Sequence, residues 1–137
     1  MEPSTLFSIA NTSTLFAWIV LAVGQRRAWV TNGVIPTVCG VLSAIYAVII
    51  ATHFWNTPGG FSSLSAVATL FGNSWLLLAG WIHYLAFDLL VGRWEAVDAK
   101  QRGISPWIVA PCLGLTFMFG PAGWLLYCGV RRVAPTR

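Results

Sequence analysis

Four stretches of this chain are long and apolar enough to cross a lipid bilayer as α-helices, and no other feature restricts the fold as strongly. A hydrocarbon core of about 30 Å takes about 20 helical residues to span. The runs 6–24, 34–54, 73–91 and 107–130 meet that length. Within lipid no water is present to satisfy peptide groups, so helices that bond internally are the expected form. The composition agrees, with 57% of the 137 residues hydrophobic and 9% charged and a mean hydropathy of +0.73, well outside the range of a soluble domain. The predicted fold class is therefore all-α: a polytopic membrane protein whose four transmembrane helices form one bundle and one domain over 1–137.

Between the second and third runs, Asn56-Thr57-Pro58-Gly59-Gly60 breaks regular structure, and a short interfacial or re-entrant helix is predicted over 62–70. The formal charge is +4, but the basic residues stand at the ends of apolar runs, which argues for membrane topology and against a nucleic-acid partner. Arg26 and Arg27 in the first loop join Arg93, Lys100 and Arg102 in the third on one side. With four crossings Arg131, Arg132 and Arg137 fall opposite, and the balance favours an exterior N-terminus. No cleavable signal peptide is expected, since Glu2 and no basic residue precedes the first run, and Arg26-Arg27 follows that run and so is no twin-arginine signal.

Small residues at Cys39, Ser43, Ala47 and Ala51 recur every four positions and predict a helix-contact stripe on the second span. Pro36 and Pro111 fall in first turns, where a missing N–H costs little, whereas Gly120-Pro121 lies deep in the fourth span and predicts a kink. Trp29, Trp55, Trp94 and Trp107 near helix ends fit an interfacial belt. Trp18, Trp75, Trp81 and Trp124 fall within spans, where they either pack or line a pocket for a flat or polyene ligand. Cys39, Cys112 and Cys128 lack CxxC spacing and read as packing residues.

His83 and Asp88 are the residues of chemical interest, because a carboxylate at bilayer depth costs about 2.5–3.5 kcal/mol on insertion scales and is kept where it has a partner, a cavity or a substrate. At 100° per residue Asn73, Gly80, Tyr84 and Asp88 share a sector of the third helix, with His83 beside it. Tyr84 and Asp88 can meet, but His83 and Asp88 point about 140° apart and need something between them. The competing structural reading pairs Asp88 with Arg93, Arg26 or Arg27 at the interface and gives His83 a carbonyl or hydroxyl partner. His53 reads as interfacial, and Glu95 with Asp98 as a solvated charge cluster. The His53 and His83 spacing matches no metal signature, and no nucleotide-binding or nucleophile-elbow motif occurs, so neither metal nor cofactor is expected.

The string Gly80-Trp81-Ile82-His83-Tyr84-Leu85-Ala86-Phe87-Asp88-Leu89, then Gly92-Arg93-Trp94, Pro111-Cys112-Leu113 and 115–123, resembles the abscisic-acid-deficient-4-like membrane family, whose plant members are linked to neoxanthin formation. The resemblance implies a four-helix membrane protein of xanthophyll metabolism. Rearranging a 5,6-epoxide to an allenic alcohol needs a proton donor at oxygen and a base for a polyene hydrogen, with no redox change. On that implication Asp88 and His83 are the acid–base pair, Tyr84 the orienting hydroxyl, and Trp81, Asn73, Phe117 and Pro121 contact the substrate, in a pocket shared with the fourth helix. The expected location is a bacterial inner membrane, or a plastid membrane for plant relatives. A carotenoid or isoprenoid is the implied ligand. The alternative function is a non-catalytic pigment-binding or complex-associated subunit, with a membrane-protein partner or a second copy. Proton conduction is disfavoured because only one carboxylate falls within the spans.

Overall fold

A computed structural model describes residues 2–134, and every described element is helical. The helices are α1 (Pro3–Gly24), α2 (Ile35–His53), α3 (Leu64–Phe71), α4 (Ser74–Gln101), α5 (Pro106–Phe119) and α6 (Pro121–Val133). Three helices are long and apolar enough to cross a membrane: α1, α2 with its flanking turns (Val30–Asn56), and α4.

α4 is the axis of the molecule, packing against α1, α2, α5 and α6. It starts at Asn73, whose side-chain oxygen accepts from the backbone N–H groups of Trp75 (2.9 Å) and Leu76 (3.3 Å), satisfying two of the helix's orphan donors. It runs for 28 residues, about 42 Å, so the charged segment 93–101 continues the helix and is not the loop expected from its composition.

A π-turn over Val30–Val34 opens α2 ahead of Pro36. The N–H of Ile35 reaches back to the carbonyl of Val30, leaving that of Thr31 without its usual partner. The Arg93 guanidinium of α4 donates to that Thr31 carbonyl, and its Nη2 donates to Asn32 Oδ1 at 3.2 Å.

The stripe Cys39, Ser43, Ala47, Ala51 does not form the contact face of α2. Only Cys39 is buried, while Ser43, Ala47 and Ala51 face outward. A four-residue repeat drifts about 40° per step around an α-helix. The buried face instead follows Ile35, Cys39, Leu42 and Ile49, which pack on α4, where Ala79 and Ala86 admit them.

The fourth apolar run is two helices. Gly120 ends α5 and precedes Pro121 at the start of α6, with φ +38° and ψ −92°, a conformation that favours glycine. The expected kink is thus a full reversal. α6 lies back along α5 so closely that a side chain on Gly123 would overlap Thr116. α5 begins beside Gln25, whose Nε2 donates to the Pro106 carbonyl at 3.5 Å. α6 ends beside α4, where Arg131 Nη2 donates to Asp98 Oδ1 at 3.0 Å. Both ends of the hairpin therefore lie at the C-terminal end of α4, so Arg131 shares an end with Arg102 instead of lying opposite it; Arg137 lies outside the described residues.

The predicted helix over 62–70 is α3, entered through Ser63, whose hydroxyl accepts from the N–H of Ala66 at 3.1 Å.

Candidate functional site

The sequence-derived residues divide between two places on α4, because residues five apart on a helix cannot share a direction. One place is an apolar cavity of about 620 Å³ walled by α2, α3 and α4. Tyr46, Phe54, Phe71, Trp81, His83 and Tyr84 supply its aromatic and polar-tipped lining. His83 stacks on Phe87 with ring centroids 4.6 Å apart and meets Tyr46 at 5.7 Å. Trp81 tilts against Tyr84 at 5.2 Å and donates its indole N–H to Asn11 Oδ1 at 3.3 Å.

The other place is the reversal between α5 and α6. Asp88 is 8% exposed and packs against Gly120, where an added Cβ would lie 2.9 Å from Cγ and Oδ2 of the carboxyl group. Its Oδ2 is buried without a hydrogen-bond partner among the described residues. None of the three arginines considered as partners reaches it: Arg93 bonds Thr31 and Asn32, Arg26 bonds the Ile104 carbonyl, and the ion pairs among the described residues both involve Asp98. Counting 15 residues of helix from Asn73 places Asp88 about 22 Å along α4, near the midpoint of its roughly 42 Å.

Tyr84 joins the two places. Its ring lines the cavity, while its hydroxyl donates to the carbonyls of Met118 (3.1 Å) and Phe117 (3.4 Å) in the last turn of α5, where helical carbonyls have lost their own partners. One turn on, Asp88 faces the same reversal through Gly120.

The cavity that holds His83 does not extend to Asp88 or to α5–α6. The cavity reaches His83 and Tyr84, while its other walls come from α2, α3 and the segment between them, and Asp88 is not among its lining residues. Asn73 is a helix cap at the far end of α4, with its amide also donating to Thr57 Oγ1 at 3.4 Å, so its polar atoms serve the fold. Phe117 packs edge-to-face on Trp18 at 5.7 Å, and Pro121 forms the first turn of α6 beside Asp88's contact, Gly120. Trp81 alone of the four expected substrate contacts lines the cavity.

Sequence reading missed Glu95. It is fully buried and accepts a 2.8 Å hydrogen bond from the Thr116 hydroxyl of α5, with its second oxygen unpartnered among the described residues. The available signal was spacing: seven positions beyond Asp88, Glu95 returns to within about 20° of the same helix face. Asp98 is no free solvated charge either, since it accepts from Arg102 (2.9 Å), Arg131 (3.0 Å) and Tyr127 (2.6 Å). His53 stacks on Trp75 at 5.0 Å, far along the bundle from that charge cluster. Among the described residues no group of three His, Cys, Asp or Glu converges on a metal-sized site.

The family model described as ABA DEFICIENT 4-like matches residues 5–127. The chain belongs to that family. The match covers every element from α1 into α6, including the cavity wall and the α5–α6 reversal. No curated protein and no solved structure matches. Family membership and the three apolar helices together make this an ABA DEFICIENT 4-like membrane protein.

Proposed function

We propose that this ABA DEFICIENT 4-like protein is a membrane-embedded acid–base isomerase acting on a carotenoid epoxide or a related isoprenoid. The observation that carries the reading is Tyr84, which lines the large apolar cavity and also reaches the reversal where the unpaired Asp88 is buried. A cavity of 620 Å³ has the size of a small-molecule site and accepts part of a long polyene. Its walls are aromatic and aliphatic, and His83 and Tyr84 supply groups able to exchange a proton.

In the rearrangement an epoxide C–O bond opens as oxygen gains a proton, and an adjacent C–H loses one to form the allene. Atoms and electrons balance without an oxidant. His83, directly on the cavity wall, is the base for the carbon-bound hydrogen. Tyr84, once its hydroxyl turns from the Phe117 and Met118 carbonyls, donates toward the epoxide oxygen, and Asp88 acts through Tyr84 as its proton partner, which revises the role of Asp88 as the acid–base partner of His83.

A second reading is favoured by the packing of His83, which stacks flat against Phe87 as an aromatic wall. In that reading the protein holds a pigment without transforming it, alone or as a subunit of a larger complex. Pigment analysis of bacterial membranes supplied with an epoxycarotenoid, with and without the chain, tests the proposal. Isomerase activity predicts a new isomer of unchanged mass; copurification of unaltered pigment supports the binding reading instead.

A further inference from the structure

Seven of the chain's eight basic residues lie among the described ones, and the hairpin collects them at one end of the molecule. Arg26 and Arg27 follow α1. Arg93 binds the turn that opens α2, Lys100 and Arg102 end or follow α4, and Arg131 and Arg132 end α6. The opposite end, from Pro3 through 55–73, carries no Lys or Arg.

The hairpin's length fits this placement. α5 has 14 residues and α6 has 13, about 21 Å and 20 Å, each short of the roughly 30 Å core. Joined end to end they would cross it, but folded back they reach only the level of Asp88. A backbone break at that depth survives where protein covers it and fills its bonds. Tyr84 occupies the Phe117 and Met118 carbonyls, the Gly120 N–H bonds the Thr116 carbonyl at 2.8 Å, and Pro121 has no N–H to satisfy.

We propose that α5–α6 is a re-entrant hairpin, that the chain crosses the membrane three times, and that its cationic end is a surface for anionic lipid headgroups on the cytoplasmic side. Asp98 occupies Arg102 and Arg131, while Arg26 and Arg93 serve backbone carbonyls. Arg27, Lys100 and Arg132 are exposed and have no carboxylate partner among the described residues. Exposed Trp29 and Trp107 flank them, as aromatic side chains do at headgroup level. The charge fits the anionic inner leaflet, whose surface potential attracts clustered Lys and Arg. The same end-sorting of cations puts the N-terminus outside. None of this depends on the proposed catalysis.

Two measurements on the full chain test it. Glu2→Cys and Val133→Cys variants are treated with a membrane-impermeant maleimide in right-side-out vesicles, with the wild-type chain as background and detergent-opened vesicles as the labelling control. Three crossings predict that Glu2→Cys labels in sealed vesicles and Val133→Cys only after detergent. Labelling of both positions from the same face means an even number of crossings and overturns the proposal.

In the second, protein purified from mixed phosphatidylcholine and phosphatidylglycerol vesicles is assayed for retained lipid. The variant Arg27→Gln/Lys100→Gln/Arg132→Gln should retain about tenfold less phosphatidylglycerol, with phosphatidylcholine unchanged. The variant Arg27→Lys/Arg132→Lys should retain the wild-type amount. Equal phosphatidylglycerol on the glutamine variant, or its displacement by millimolar inorganic phosphate, would rule out the headgroup surface.

Discussion

The carboxyl group of Asp88, midway along α4, fills the space that a side chain on Gly120, the glycine that reverses the chain, would need. Residue 120 has to be small because Asp88 fills the position of its Cβ, and it has to tolerate a φ of +38° because α6 turns back there. Substitution by alanine meets both obstacles. Gly120→Ala should destabilise the detergent-solubilised protein by about 1–3 kcal/mol, read as a lower thermal midpoint. An unchanged midpoint would show that the reversal relaxes freely.

Glu95 and Thr116 form a buried link between α4 and α5, with the hydroxyl donating at 2.8 Å. Thr116→Val keeps the shape and removes the donor, leaving both Glu95 oxygens without a partner. The expected cost is about 1–3 kcal/mol, with Thr116→Ser close to wild type. Chemical denaturation of the two variants side by side checks this, and equal losses would assign the effect to packing.

Much of the helical layout was legible in the sequence, since bilayer length and apolar runs locate α1, α2 and α4, and the break at Asn56–Gly60 sets off the short α3. The angular argument also separated His83 from Asp88 correctly. Other features were misread for physical reasons. Gly120-Pro121 has the stop-and-start grammar of two helices, but hydropathy is blind to it because both sides are equally apolar. The charges over 93–102 resembled a loop, although Glu95 turns inward and Asp98 is bonded by three side chains. Of the cavity only Trp81 was legible as a lining residue, because its far wall comes from α3, across the Pro58-Gly59-Gly60 break.

Asp98 fastens the foot of the hairpin to α4 through Arg131 while also holding Arg102. Both Asp98 and Arg131 are partly covered, so a double-mutant cycle of Asp98→Asn and Arg131→Gln should return a coupling of about 1 kcal/mol, smaller at high salt. Additive losses would mean that the pair does not anchor α6.

Leu77 lines the cavity from α4 and is otherwise exposed. Leu77→Trp should fill part of that space and lower ligand retention while changing stability by no more than about 0.5 kcal/mol. Isoprenoid copurification by mass spectrometry, compared with the thermal midpoint, separates the two effects. Full retention would place the ligand elsewhere.

The central claim is that Tyr84 couples a cavity-bound isoprenoid to Asp88, and product formation by Tyr84→Phe tests it most directly. Membranes carrying wild-type, Tyr84→Phe, Asp88→Asn and His83→Ala chains are supplied with the same epoxycarotenoid, and the pigments are resolved by liquid chromatography at matched protein levels. The account predicts an allenic isomer from the wild type and its loss from all three variants, with substrate still copurifying on Tyr84→Phe. Wild-type amounts of isomer from Tyr84→Phe, or none from the wild-type chain, would contradict it.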